Sequence, residues 1–198
     1  KIRGSLVQNY ITPFGQKEEL SDRIKRILQQ YPCSESVLKE MLQNADDAKA
    51  SEVMFITDFN TYSTEKTFDS TWHPLQGPAL LVYNNSHFTD DDIAGIQHLG
   101  RGSKGDDPTK TGQYGVGFNA VYHITDVPSF LSKSPNGDED TLCVMDPNCK
   151  YAPGANESSP GAQFHGLNDL RKTFPDVFDC YHEHILLQSS GTVFRLPL

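Results

Sequence analysis

The sequence predicts an α+β domain: a two-layer α/β sandwich with helices on one face of a mixed, mostly antiparallel sheet. Three observations lead there. Two amphipathic helical patterns open the chain, short β-rich runs follow without strict strand–helix alternation, and the tail 191–198 alternates like a strand. A length of 198 residues is one domain's worth, so 1–198 reads as a single domain with a lead-in over about 1–13.

Taken in order, residues 17–31 place Leu20, Ile24, Ile27, Leu28 and Tyr31 on one helical face. Pro32 stops that helix, and Ser34 is an N-cap for a second running to about Ala50, with Leu38, Met41, Leu42 and Ala45 as its apolar stripe. Residues 51–58 read as a strand, 59–76 as a polar loop, and 79–83 as a buried strand ending at Asn84-Asn85. Thr89 with Asp92 three residues on is a capping-box-like start for a short helix to about Leu99. A glycine-rich stretch over 100–117 opens into a helix-like run over 118–124, and 127–131 and 141–145 are short strands.

Charge narrows the function classes. With 17 basic against 26 acidic residues the net charge is −9, and no Lys/Arg block occurs. A general nucleic-acid or anionic-membrane binder is excluded on that ground, because backbone-phosphate affinity comes from clustered positive charge. No apolar run approaches the roughly 18 residues a membrane-spanning helix needs. Four cysteines without a C-x-x-C spacing point to reduced thiols and a cytoplasmic protein. The start at Lys1 and the end just after a strand pattern read as one module of a longer chain.

Two features carry chemistry. Glu40, Asn44 and Asp47 recur at i, i+4 and i+7 on one helix face; alone, such a stripe marks a solvated surface. The run Gly112-Gln-Tyr-Gly115-Val116-Gly117 then leads straight into a helical start at Phe118, an arrangement that lets backbone amides approach a phosphate. It is neither a Walker A loop, since Thr109 stands where the second glycine must be, nor a dinucleotide G-x-G-x-x-G.

These residues together, with Asn84 after a strand and Gly191-Thr192 on a late one, resemble the GHKL (Bergerat-fold) ATPases. Gly112 to Phe118 is similar to the glycine box of the ninety-kilodalton heat-shock chaperone, and Glu40 to Ala48 to its E-x-x-x-N-x-x-D-A helix. The runs 38–48, 76–85 and 112–126, with 151–155 and the ending 192–197, resemble most the chaperone-like repeat of the sacsin family, over about 14–198. The resemblance implies an adenine-nucleotide site for ATP or ADP with Mg²⁺. Asn44 would offer an oxygen to the metal, and Glu40 would act as the catalytic residue on an attacking water. Asp47 and Ala48 would border the purine and ribose, while Gly112 and the amides of Gly115, Val116, Gly117 and Phe118 would hold phosphates. Lys104, in the loop that serves the family as a lid, is a candidate γ-phosphate contact, and Thr192 would reach the purine directly or through water.

The sequence departs from the family at the base. Where relatives carry an Asp that accepts the adenine amine, this chain has Asn84, an acceptor without the charge, and His87 and Phe88 put side chains where relatives have open backbone. The expectation is weak ATP binding with little or no hydrolysis in isolation. The alternative is a non-catalytic interaction module with a degenerate pocket. The family context implies a chaperone or co-chaperone role in protein quality control, with other domains of the same large protein and client or chaperone proteins as partners. Elsewhere, Cys180, His182 and His184 alternate as on one strand face and could ligate a metal. His98 and His123 read as packing residues, Arg195 as structural, and Trp72 as either a core anchor or part of a contact surface.

Overall fold

The computed structural model describes residues 18–30, 35–97, 117–137, 140–187 and 189–198. Two helices come first, α1 (Leu20–Gln30) and α2 (Glu35–Asp47), followed by strand β1 (Val53–Asp58). A 3-10 segment (Ser70–Gln76) leads into β2 (Ala79–Asn84), helix α3 (Asp90–Gln97) and a second 3-10 segment (Phe118–His123). Then come β3 (Ser129–Lys133), β4 (Thr141–Met145), β5 (Gly161–Phe164), the short helices α4 (Leu167–Thr173), α5 (Pro175–Asp179) and α6 (Glu183–Leu186), and finally β6 (Gly191–Pro197). Among the described residues six strands form one sheet in the order β1-β2-β6-β3-β4-β5, with every neighbouring pair antiparallel.

The α+β class is as the sequence predicts, and the structure adds a second layer. On one face Val37 and Met41 of α2, Ile93 of α3 and Phe118 pack against Val82, Phe130, Cys143, Phe194 and Leu196 of the sheet. The other face is covered as well: Trp72 and Leu75, with Val177, Phe178, Tyr181 and Leu186, bury Leu81, Leu131, Leu142 and Val193. Trp72 is thus a core anchor. Alternation along the strands makes this possible, since successive residues point to opposite faces and both sets are apolar.

Several sequence expectations shift. In α2 the buried stripe is Val37, Met41 and Ala45, whereas Leu38 and Leu42 are 45% and 53% exposed, one helical step off that line. The segment after Cys180 is not a strand. It is a turn and a short helix, entered through His182 in the left-handed conformation (φ 52°). The Cys180 thiol donates to Val177 O, and His182 bonds Asp58 and Tyr62, so the two serve packing and turn geometry. Among the described residues no three His, Cys, Asp or Glu side chains gather as a metal-ligand set. The Pro32 stop, the Ser34 cap, Tyr31 and His98 lie outside the described residues.

Helix α2 ends in a Schellman-type turn: Ala50 N–H reaches Ala45 O at 2.9 Å, Lys49 N–H reaches Asp46 O at 2.9 Å, and Lys49 takes the left-handed conformation (φ 60°). The turn delivers the chain to β1. Asn85 fixes the joint, its Oδ1 accepting from the N–H groups of Ser51 and Glu52 at 2.9 and 3.2 Å.

The other face is tied down by one guanidinium. Arg195 in β6 is 1% exposed and donates to three backbone carbonyls, those of Leu75, Gly77 and Cys180. It is structural, as the strand pattern predicts. A planar fork holds its N–H groups in fixed directions toward three acceptors on two segments at once, where an ammonium is a compact point charge on a flexible stem. Arg195→Met is expected to lower stability by about 3 kcal/mol, because the carbonyls are left unpaired in the interior. Urea unfolding followed by far-UV circular dichroism measures the loss.

Carboxylates hold the 59–69 loop. Asp58 Oδ2 accepts from Tyr62 OH at 2.7 Å and from His182 Nε2 at 3.2 Å, while Oδ1 accepts from Asn60 N at 3.0 Å. Asp176 Oδ2 accepts from Ser63 Oγ at 2.6 Å and Lys66 N at 2.7 Å. Burial pushes the Asp58 carboxyl up, but the hydrogen bonds from Tyr62, Asn60 and His182 outweigh it and hold it below the ordinary carboxylate range. The Ser63 and Lys66 bonds do the same for Asp176. A depressed folded-state pKa means stability fully present above the unfolded value of about 4 and lost as pH falls through the folded one. Melting temperature should therefore drop steeply below about pH 4, and Asp58→Asn should flatten part of that drop at a cost in stability at neutral pH.

Candidate functional site

The site lies where α2 crosses the end of the central strands. Register sets its floor: Asn84 of β2 is opposite Thr192 of β6, which is opposite Ser132 of β3. One residue pair deeper, Val82, Phe194 and Phe130 line up in the same way on the same face. Gly191 begins β6 beside this row at φ 146°, and a Cβ there would come within 2.7 Å of Asn84 O, so both conformation and space require glycine.

Hydrogen bonds lock the 84–88 turn over the floor. Asn84 Oδ1 accepts from Ser86 N–H at 3.0 Å, and Ser86 Oγ–H donates to Ala48 O at the end of α2 at 2.8 Å. Phe88 N–H donates to Ser132 Oγ at 2.8 Å, Ser132 Oγ lies 3.0 Å from Thr192 Oγ1, and Thr192 Oγ1 donates to Ser86 O at 2.8 Å. The directions follow from counting protons. Thr192 gives its only hydroxyl proton to Ser86 O, so Ser132 must donate to Thr192. The Phe88 ring then stacks on Phe130 with centroids 4.4 Å apart and meets Phe194 edge-on at 5.8 Å.

Above this floor is a narrow cleft of about 20 Å³, room for about one water, walled by Asn44 and Ala48 of α2, Asn84, His87 and Phe88, Asp92 of α3, and Phe118. Phe118 also borders an adjoining, mostly apolar cavity of about 430 Å³ that reaches Cys143 and Met145. Glu40 stands one turn before Asn44. Its carboxylate lies against Gly117, which has ordinary helical angles (φ −64°, ψ −44°); a Cβ there would meet Oε2 and push the flexible Glu40 side chain aside. Asp47 Oδ2 is buried with no hydrogen-bond partner among the described residues.

Of the residues singled out from the sequence, Asn44, Ala48, Asn84, Phe88 and Phe118 meet on the cleft. Glu40 and Gly117 touch each other beside it, and Asp47 is next to Ala48 with its carboxylate turned inward. Thr192 is 0% exposed, below the floor, with its hydroxyl committed to Ser86 O. Lys104, Gly112, Gly115 and Val116, with the lid over 100–110, lie outside the described residues. Sequence reasoning did not foresee Ser132, Ser86, Phe130 and Phe194, which build the floor. Isolated serines and phenylalanines on strands carry no motif, and only register brings them together.

The features define a class: an antiparallel α+β sandwich domain with a polar-rimmed cleft between a helix and the sheet centre. The family model of the Sacsin domain matches residues 17–198. Sacsin from Homo sapiens is 54% identical over 188 residues, which are 94% of this chain and 4% of that protein. The chain belongs to the Sacsin domain family, and it spans a small fraction of the length of the relative it matches.

The relay is testable apart from any ligand. Thr192→Val keeps shape but leaves Ser86 O and the Ser132 hydroxyl proton without their partner, and should lower stability by about 1–3 kcal/mol in chemical denaturation. Thr192→Ser should recover most of it.

Proposed function

We propose that this domain is a weak nucleotide-binding, chaperone-like module that takes a purine nucleoside triphosphate with Mg²⁺ in the cleft, ATP being the ligand the family resemblance implies. The observation that carries the reading is the convergence of Asn44, Ala48, Asn84 and Phe118 on one cleft, with the Glu40 carboxylate seated against Gly117. A carboxamide oxygen such as that of Asn44 suits a hard cation that keeps several waters, and Mg²⁺ when bound neutralises phosphate charge. The cleft between these residues holds about 20 Å³, room for about one water, so a nucleotide must widen it, in line with weak binding; Phe118 offers an apolar wall for a ring.

Turnover should be slight. Phosphoryl transfer needs a cation on the developing charge, and among the described residues no Lys or Arg lines the cleft. Arg195 is on the opposite face of the sheet, held by its three carbonyls. Within a longer protein such a module would act with its neighbouring domains, and client or chaperone proteins in the cytoplasm are the partners this reading carries. Among the described residues no helix is long and apolar enough to cross a membrane.

A second reading has its own support. Phe88 stacked on Phe130 fills part of the floor, and the Thr192 hydroxyl is already used. Both suit an interaction module that has kept the fold and let the pocket close. Thermal denaturation separates the two. Millimolar ATP with Mg²⁺ should raise the melting temperature by about 3 °C, the effect of roughly 1 kcal/mol of ligand linkage on a domain of this size. Asn44→Ala should abolish the shift. No shift in the wild type favours the interaction module, and steady phosphate release that vanishes in Glu40→Ala would overturn the expectation of slight turnover.

A further inference from the structure

The sheet has two edges, and they are finished differently. β5 is four residues long and follows Pro160 directly, a short edge with little backbone to pair. β1 is six residues long, holds no Pro, Gly or Lys, and runs in unbroken register with β2 from Val53↔Asn84 to Asp58↔Ala79. One bond shows which of its backbone groups face outward. Asn85 N–H donates to Glu52 O at 3.3 Å, one step beyond that register, so positions 52, 54, 56 and 58 turn to β2. Val53, Phe55 and Thr57 therefore point their N–H and C=O groups away from the sheet, and among the described residues nothing pairs with them. Met54 and Phe55 are each 42% exposed.

The helix layer leaves an apolar surface beside this edge. Leu20 of α1 borders the cavity that Cys143 of β4 and Gly161 to Gln163 of β5 also line, so α1 lies over the far side of the sheet. The 3-10 segment that opens at Phe118 packs against both helices and meets α2 on the Glu40 flank, next to Gly117. Leu38 and Leu42, two residues either side of Glu40, lie roughly 160° round the helix from it. That flank overlooks β1, and both leucines are about half exposed. Val53 packs on the core beneath α2, which puts the Phe55 ring on the same face of β1.

We propose that β1 and the adjoining flank of α2 form a self-association surface, on which a second copy of this domain docks by antiparallel β1–β1 pairing about a two-fold axis through Phe55. In that register every outward group finds a partner. Phe55 stands opposite its own copy and Val53 opposite Thr57 on either side, which joins the three N–H and three C=O groups of each copy in six hydrogen bonds. An axis perpendicular to the sheet keeps both helix layers on one side, so Leu38, Leu42 and Phe55 of the two copies are covered together. A lone peptide strand would pair the edge and leave the leucines bare. The exposed charges around the surface, Lys39 and Lys49 against Asp46 and Glu52, cancel, so a chain of net charge −9 meets its copy here without the repulsion its total charge implies. Neither Phe55 nor Leu42 borders the cleft, and the proposal is independent of nucleotide binding.

Sedimentation equilibrium over a concentration series tests it. At about 0.15 M salt the mass should rise from that of one chain toward twice that between about 10 µM and about 1 mM, as for a modest interface resting largely on backbone bonds. Hydrogen exchange followed by NMR locates the surface: with rising concentration the amides of Val53, Phe55 and Thr57 should slow, while those of Met54 and Ile56, already bonded to β2, keep their rates. Phe55→Pro removes an outward N–H and the exposed ring at a position where an edge strand tolerates proline, and Leu42→Lys charges the helix flank. Each should weaken association at least about tenfold. Thermal melts confirm that the variants fold, and Phe55→Lys replaces Phe55→Pro if the proline variant does not. A dimer that the Phe55 variant leaves intact, or that forms without slowing the three amides, overturns the proposal. A chain still monomeric at about 1 mM also overturns it and leaves the edge to a strand from another protein.

Discussion

The last strand of the sequence lies at the centre of the sheet, and the rest of the structure depends on its insertion. Strand β6 pairs with β2 on one side and β3 on the other, so neither half of the sheet is continuous without residues 191–197. Its two faces serve different layers. Phe194 and Leu196 belong to the core beneath α2 and the cleft, and Val193 to the opposite core. Arg195 extends the second role, because its three carbonyl bonds reach the 3-10 segment and the end of α5. A buried guanidinium without a carboxylate is tolerable only when backbone dipoles surround it, and here they come from segments that this contact holds in place.

The same strand shapes the cleft. Thr192 has no surface of its own, yet its hydroxyl closes the hydrogen-bond path that runs from Phe88 through Ser132 to Ser86. The path crosses three chain segments far apart in sequence and leaves the 84–88 turn with little freedom. Ser86 adds a tie to Ala48 O, joining the C-terminal end of α2 to the turn. Positions of Asn44, Ala48 and Asn84 relative to one another are consequently a property of the sheet centre rather than of a loop, the rigidity that a binding constellation requires.

Legibility in the sequence followed the range of the interactions. Helices α1 and α2, strand β2 and the final strand could be read because their apolar spacing is local, and the α+β class followed from them. Strand β5 and helices α4 to α6 could not: they are four to seven residues long and their partners are distant. Pro175 at the start of α5 and the spacing of Leu167, Leu170 and Phe174 are the signals that were there to find. His182 shows the sharper limit. Alternation of Cys180, His182 and His184 has the period of a strand, but Asp58 and Tyr62, more than a hundred residues earlier, bind His182 and turn the chain into a helix. At the cleft, Glu40, Asn44 and Ala48 were readable from a single helix, whereas the hydrogen bonds that join Asn84, Ser86, Ser132 and Thr192 arise only from the strand register, a fact of three-dimensional geometry.

Electrostatics constrains what the cleft can hold. Asp92 lines it, the Glu40 carboxylate stands beside it, and the Asp47 carboxylate is buried at the next residue to Ala48, so the local field of the described residues is negative. A polyphosphate entering that field without a cation meets repulsion that low-dielectric walls strengthen. Mg²⁺ on the phosphates reverses the sign of the interaction, and a carboxamide such as Asn44 can take part in its shell without adding charge. An acidic domain can therefore meet a highly charged ligand only with a cation on it.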